Sequence, residues 1–480
     1  MDQLSDFGWT ILLVSLAGSL AIALRVLSDR WAIPAAGILL IASAALSDLF
    51  EGLHDALSFV DVQRLCTVAL IVILLDGGMH IGRRRFRAAA VPILSLGLLG
   101  TLGTTAVVAI AAHELLDVSW TVAGLIGAAV APTDPAVTFA VLGHREIRGR
   151  SGTILEGESG FNDPVGIALM IGMVEFATTD DAGVASIVRE VVVELALGLG
   201  VGVAGGVVLL ALMRRFPLPD SALYPLRVLL AAGVVYGVAA GLGGSGFLAV
   251  LVTGILIGDA AAPHKGEVER FHSALASLAE IAAFVALGLT VDLGFIFDAD
   301  LWLDGLVVAA VLAIVARPLV VGALLLPVRL SWGERGFIVW SGLKGAVPIL
   351  LASLAVIAGT EYAAEIYAIV FVVVLVSVLV QGTGLPYVAT RLKVPMRTVE
   401  PDTIEGRRMV VRTGAFADGR AVRELPLAER AWVSSVDRDS RAVTLTGGTK
   451  LHAGDVVRVY SDETTEPAVR RIFEGADASS

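Results

Sequence analysis

Cysteine is nearly absent from this chain. Cys66 is the single one in 480 residues, which excludes an intramolecular disulfide and a metal centre built from several thiolates. Charge is scarce as well, at 17% of residues, and aromatic residues supply 6%. The net charge of −11 argues against nucleic acid as a partner. There is no phosphate-binding loop of the Walker type, so ATP hydrolysis is not expected to supply work. No repeated Thr-Val-Gly-Tyr-Gly filter is found, which argues against a cation channel gated by the tail. The opening residues are acidic rather than basic, so Trp9 to Leu24 reads as a retained span and not a signal peptide.

Apolar sequence is what the chain has in quantity: 56% of residues, with a mean hydropathy of +0.82. That is the composition of a polytopic membrane protein. A hydrocarbon core ~30 Å thick takes about 20 apolar residues per helix. The apolar runs then give about thirteen spans, at 9–24, 31–49, 62–79, 90–112, 119–142, 156–177, 186–213, 224–241, 244–258, 272–290, 301–326, 336–357 and 363–388. Arginine and lysine cluster in alternate loops: Arg25 and Arg30; Arg83, Arg84, Arg85 and Arg87; Arg145, Arg148 and Arg150; Arg214 and Arg215; Lys265 and Arg270; Arg329 and Arg335. The intervening loops are acidic or neutral, with Arg64 and Arg189 as exceptions. The positive-inside rule puts the N-terminus outside and the C-terminus in the cytoplasm.

From about Arg391 the runs shorten and charges of both signs intersperse. Alternating segments at 409–412, 431–436, 442–445 and 456–460, with turns at 417–419, 446–448 and 453–455, predict a small α+β domain closed by a helix over 466–474. The expected division is a transmembrane domain over 1–390, a linker over 391–402 and a cytoplasmic domain over 403–480.

Within the apolar runs a few polar residues demand explanation. Asp163, beside Asn162 and Pro164, lies in a stretch of span length, where a carboxylate is costly and usually carries ions or protons. One span upstream, Ala131-Pro-Thr-Asp-Pro135 interrupts another run. Ser341-Gly-Leu-Lys-Gly-Ala-Val-Pro348 interrupts a third. Two Gly/Pro-broken spans, far apart in sequence, are the pattern of a transporter with inverted repeats and a midplane site. Prolines remove backbone donors, and freed carbonyls that line a cavity can face a cation. Ser159 lies one turn before Asp163 on the same helix face. Thr133 and Asp134 complete an oxygen set suited to a hard alkali cation. A carboxylate that holds either the cation or a proton, never both, makes the simplest exchanger. Arg317, in an apolar run, needs an anionic partner; Glu158 leads and Glu156 follows. Lys344 either pairs with a carboxylate or neutralises helix C-terminal dipoles at the break. For Asp76 and Glu280 a structural polar contact and a transport role stand level.

Gly157-Glu-Ser-Gly-Phe-Asn-Asp-Pro164, Pro132-Thr-Asp-Pro135, Arg317 and Gly342-Leu-Lys-Gly-Ala346 together resemble the motifs of monovalent cation/proton antiporters, in the branch of NhaP-type proteins and animal sodium/proton exchangers. The resemblance implies an all-α protomer of thirteen spans with inverted repeats and two crossing discontinuous helices. It implies a homodimer in which a core domain moves against a dimerisation domain. It carries ion and proton binding onto Asp163, Asn162, Asp134, Thr133 and Ser159, with the alkali cation at Asp163, Ser159 and Thr133. It carries the buried ion pair onto Glu158 and Arg317. The usual Gly-Leu-Arg-Gly is Gly-Leu-Lys-Gly here, which keeps the charge and loses the guanidinium fork. The Asn-Asp pair resembles electroneutral members, in keeping with one titrating carboxylate. The tail, with Leu451-His-Ala-Gly-Asp-Val-Val-Arg-Val-Tyr460, is similar to the TrkA-C domain of potassium-conductance regulators, which implies a ligand-sensing or dimerising module. The expected function is K⁺/H⁺ exchange at a bacterial inner membrane, serving pH and cation homeostasis without a cofactor. Na⁺/H⁺ exchange, a gated channel and a membrane sensor are the alternatives.

Overall fold

The computed structural model describes residues 18–24, 34–50, 57–142, 145–147, 149–179, 183–260, 262–398, 405–427, 431–438, 441–443, 445–461 and 466–475. The chain divides into two compact units, Met1–Met396 and Arg397–Ser480.

The first unit is a helical membrane body. Among the described residues six helices are long and apolar enough to cross a membrane, seven if one bent pair counts as a span. Of the expected run 9–24, residues 18–24 are described and helical; the rest lies outside the described residues. The runs 62–79 and 90–112 form one helical course, Phe59–Leu94 continued by Ser95–Gly100 and Thr101–Leu116. It breaks at Gly82, where φ is +64° and ψ 161°. Only glycine adopts that backbone without strain, so Gly82 separates the two expected spans. The helix that resumes is capped from afar, with the Arg84 amide donating to Asp259 Oδ2 at 2.5 Å.

Helix starts follow local chemistry. Ser58, Ser119 and Ser245 each accept an amide of the first turn, and Ser331 and Glu334 form a reciprocal capping box. Such caps satisfy donors that the helix itself leaves unpaired. Small residues set the closest approach. A Cβ on Gly78 or Gly254 would meet the carbonyls of Leu251 and Leu75 respectively at 2.6 Å. Helices Phe59–Leu94 and Gly246–Gly258 therefore pack backbone to backbone, the contact membrane helices favour where apolar burial gives no preference. Outward faces carry Val203, Val207, Leu230, Val234, Ile314 and Leu319 exposed, the surface expected of helices solvated by lipid.

Three segments are wound as π-helix: Ser95–Gly100, Leu312–Val321 and Ser377–Gly382. Such turns often mark functional sites, and here each touches the polar centre described below. A short helix, Leu293–Asp298, is one that the apolar runs do not signal.

The second unit is a four-stranded antiparallel sheet. Its spatial order is Glu405–Val410, Val456–Ser461, Trp432–Arg438, Arg441–Val443. Helix Glu466–Glu474 lays Val469, Ile472 and Phe473 on a core with Met409, Val436, Val457 and Val459. The strands depart from the expected bounds by a few residues at their ends. The turn at 453–455 needs Gly454, whose φ is +92°. Arg438 grips Asp455 through two hydrogen bonds of 2.7 Å, and Asp455 Oδ2 also accepts the His452 amide at 2.8 Å. These contacts hold the Asp455 carboxyl below the usual carboxylate range, the Arg438 bond contributing most.

Candidate cation-binding site

Two helices are interrupted. Trp120–Val130 and Pro135–Leu142 meet at a 42° bend. Trp332–Trp340 and Ala346–Ala358 are separated by residues 341–345. The breaks face each other. The Asp134 amide donates to the Leu343 carbonyl at 2.8 Å, and Thr138 Oγ1 donates to the Ser341 carbonyl at 3.1 Å. Backbone groups left unpaired at the breaks, the Asp134 amide and the Ser341 and Leu343 carbonyls, thus find partners across the crossing, as a membrane interior requires.

Each break is balanced by a charged side chain. Lys344 Nζ, fully buried, donates to the carbonyls of Ala131 and Pro132, both at 2.8 Å. Those carbonyls end the half-helix Trp120–Val130, where the dipole is negative. Lys344 thus meets the carbonyl end of the first break directly, the contact that its second expected role requires. Asp134 Oδ1 accepts the Ala136 amide at 2.8 Å, at the positive start of Pro135–Leu142. The Lys344 amide donates to Ser377 Oγ at 3.0 Å, and Ser377 Oγ donates to Gln381 Oε1 at 2.8 Å. Sequence reading missed Ser377 and Gln381. Their signal was a polar pair at helical spacing in the run 363–388.

The third contributor is helix Arg150–Thr178. Ser159, Asn162 and Asp163 project from one face of it and are buried. Asn162 Nδ2 donates to Thr133 Oγ1 at 2.7 Å, and Thr133 Oγ1 and Ser159 Oγ lie 2.9 Å apart. Thr133 accepts from Asn162, which leaves its own proton for Ser159. Two buried oxygens, Asn162 Oδ1 and Asp163 Oδ1, have no hydrogen-bond partner among the described residues. An unsatisfied buried acceptor costs about 1–3 kcal/mol, more when charged. Oxygens left bare beside a hydroxyl pair are what a proton or an alkali cation would satisfy. Among the described residues no three of His, Cys, Asp and Glu converge as a transition metal would need.

Space at the site is made by missing side chains. A Cβ on Gly345 would collide with the Asp134 carboxylate, one on Gly342 with the Arg317 guanidinium, and one on Gly166 with the Pro132 ring. Arg317, in the π-helical Leu312–Val321, pairs with Glu158 Oε1 through Nη1. Its Nη2 donates to the Ile338 carbonyl at 3.0 Å and its Nε to Val339 at 3.4 Å. The pair therefore fastens the site helix to the end of Trp332–Trp340. Glu156 takes a different partner, Arg85, at 3.1 Å. Gly97 of the first π segment sits against Phe161. Asp76 is bound to Ser273 and His80, and Glu280 lies half-buried on Lys265–Leu289.

With this geometry established, comparison with known proteins is decisive for the family. The transmembrane sodium/hydrogen exchanger family matches residues 11–391. The chain belongs to that family. The K(+)/H(+) antiporter NhaP2 of Shewanella sp. (strain ANA-3) is 31% identical to it, over 99% of this chain and 84% of that protein. The K(+)/H(+) antiporter NhaP of Alkalimonas amylolytica is 32% identical, over 88% of this chain and 74% of its own length. The sodium proton antiporter MjNhaP1 from Methanocaldococcus jannaschii shares the fold, with a TM-score of 0.69 at 21% identity over 82% of this chain and 99% of that one. This exchanger is thus a multi-pass secondary antiporter of cations and protons, not an enzyme.

Proposed function

We propose that this exchanger trades K⁺ for H⁺ without net charge movement, with Asp163 as the carboxylate that alternates between proton and cation. The observation that carries the reading is the bare, buried Asp163 Oδ1, on the helix face that presents Ser159 and Asn162. Thr133, Ser159 and Asp163 supply the oxygens for the cation, Asn162 holds Thr133 in place, and Asp134 adds negative field at the crossing. A single carboxylate that must lose its proton before it takes a monovalent cation gives one-for-one exchange. The K⁺ assignment is supported by the two relatives named as K⁺/H⁺ antiporters; Na⁺ in the same site is the second reading.

The wider frame is a homodimer of thirteen-span protomers with inverted repeats in a bacterial inner membrane. The N-terminus is outside, and a core containing both broken helices moves against a dimerisation domain. Residues 403–480 form a cytoplasmic TrkA-C-like regulatory domain that follows the linker 391–402. The proton gradient supplies the work for pH and cation homeostasis.

The test is dissipation of an imposed pH gradient in proteoliposomes on adding K⁺ or Na⁺ separately. Dissipation by K⁺ that vanishes in Asp163→Asn is expected. Dissipation by Na⁺ alone would overturn the cargo, and survival of activity in Asp163→Asn would overturn the site. A rate that changes with an imposed membrane potential would overturn the stoichiometry.

A further inference from the structure

Helix Ala363–Val376 runs on into the π-helical turn Ser377–Gly382. Two polar side chains of that turn, Ser377 and Gln381, are buried. Burying a hydroxyl and an amide is costly unless their hydrogen bonds are made, so the partners they take show what they are for.

The Lys344 amide donates to Ser377 Oγ at 3.0 Å. An N–H only donates, so the serine oxygen accepts and its single proton is left for Gln381 Oε1, 2.8 Å away. The hydroxyl rotor and the direction of the Gln381 amide are fixed together. The Gln381 backbone carbonyl accepts the Trp340 indole N–H at 3.2 Å. Trp340 ends the half-helix before the second break, and Lys344 lies within the break. The π turn therefore holds that break at both of its sides.

One peptide group is the centre of the arrangement. The Leu343 carbonyl and the Lys344 amide are the two ends of a single plane and point in opposite directions. The carbonyl end accepts the Asp134 amide at 2.8 Å, and the amide end meets Ser377. A tilt of the plane that broke one bond would strain the other. The turn has little room to follow such a tilt. A Cβ on Gly382 would lie 2.8 Å from the Pro34 ring, and one on Gly37 would lie 2.9 Å from both Val378 and Leu379. Lys344 itself has a flexible stem, so its backbone must be held for Nζ to stay on the Ala131 and Pro132 carbonyls. Thr133, next in the chain to both Pro132 and Asp134, moves with them.

We propose that Ser377, oriented by Gln381, is a positioning residue for exchange. It holds the Leu343–Lys344 peptide plane, and through that plane it sets where the first break carries Thr133 and how tightly the cation is bound. Neither Ser377 nor Gln381 touches the cation in this scheme.

The inference rests on the exchange and cation site proposed above, and two measurements keep the failures apart. The first is cation titration of pH-gradient dissipation at one fixed pH. Ser377→Ala strands the Lys344 amide and is expected to raise the apparent KM for K⁺ about tenfold, well beyond its effect on the maximal rate. Ser377→Thr keeps the hydroxyl and is expected to recover most of that affinity. Gln381→Met is expected to raise KM in the same direction, and adding it to Ser377→Ala to cost nothing more, because both act through one hydroxyl. A loss confined to the maximal rate, or losses that add in the double variant, overturns the proposal.

The second measurement needs no transport. Amide hydrogen exchange is compared at residues 134 and 344 in unmutated protein and Ser377→Ala, both in lipid vesicles. The two amides are expected to exchange faster together, since they bond the two ends of one plane. Acceleration at Lys344 with Asp134 unchanged, or at neither, overturns the proposal. Silence of the unmutated protein towards both K⁺ and Na⁺ overturns the exchange reading, and the hydrogen-exchange comparison then decides whether Ser377 holds the plane.

Discussion

The Asp134 amide donates to the Leu343 carbonyl at 2.8 Å, so each broken helix completes the other's backbone. The same crossing places Lys344 Nζ on the carbonyls of Ala131 and Pro132. The Asp134 carboxylate, in turn, fills the space beside Gly345. Position in this site is set by backbone as much as by side chains.

Gly345→Ala is therefore expected to impair exchange although it removes no polar group. The new methyl occupies the place of the Asp134 carboxylate. Overpacking costs about 1–3 kcal/mol, about 5- to 150-fold in rate or affinity. Transport kinetics should show the loss with protein yield retained. Full activity would mean that Asp134 is free to move away.

Thr133→Val should raise the apparent KM for the cation more than it lowers the maximal rate. The substitution keeps the shape, removes the hydroxyl shared by Asn162 and Ser159, and strands the Asn162 amide. A stranded buried donor costs about 1–3 kcal/mol. Cation titration of pH-gradient dissipation distinguishes this from a purely structural defect, which would reduce the maximal rate instead.

The Arg317–Glu158 pair predicts a stability pattern. Removing one partner of a buried ion pair costs about 3–5 kcal/mol because the other charge is left uncompensated. Arg317→Met and Glu158→Met should each lower the melting temperature in detergent sharply. The double replacement should cost less than the sum of the two. Additive losses would mean that the pair is not coupled.

In the second unit, Asp455 sets a pH dependence. Its folded pKa is depressed, chiefly by the Arg438 bond. Such a group contributes stability that is fully present above the unfolded value of about 3.9 and is lost as pH falls through the folded value. Hydrogen exchange in residues 431–438 and 456–461 should stay slow at neutral pH and accelerate in strong acid below that value. Arg438→Met should move the acceleration to higher pH. An unshifted onset would mean that another group governs the unit.

Composition and local pattern alone determine a good deal of this protein. Lipid solvation forces apolar runs of span length, so a helical membrane body was legible without packing information. Proline chemistry marked the interruption at Pro132 and Pro135, and the glycines around Lys344 marked the other. The residues of the polar centre were legible because Asp163, Arg317 and Lys344 are costly among apolar neighbours. The long-range pairings were not legible. Arg317 had two candidate partners by sequence, Glu158 and Glu156, and only the packing of Leu312–Val321 against Arg150–Thr178 gave it the first and left Arg85 for the second. Lys344 had two possible partners by sequence, a carboxylate or the carbonyls at a break, and folding brings the Ala131 and Pro132 carbonyls to its Nζ. Ser377 and Gln381 stood in the sequence as a polar pair at helical spacing, but the bond from the Lys344 amide to Ser377 exists only in three dimensions. Hydropathy and turn chemistry act over a few residues and are written in the chain. Which carbonyl or carboxylate a buried polar atom meets depends on residues hundreds of positions away, and packing alone brings them together.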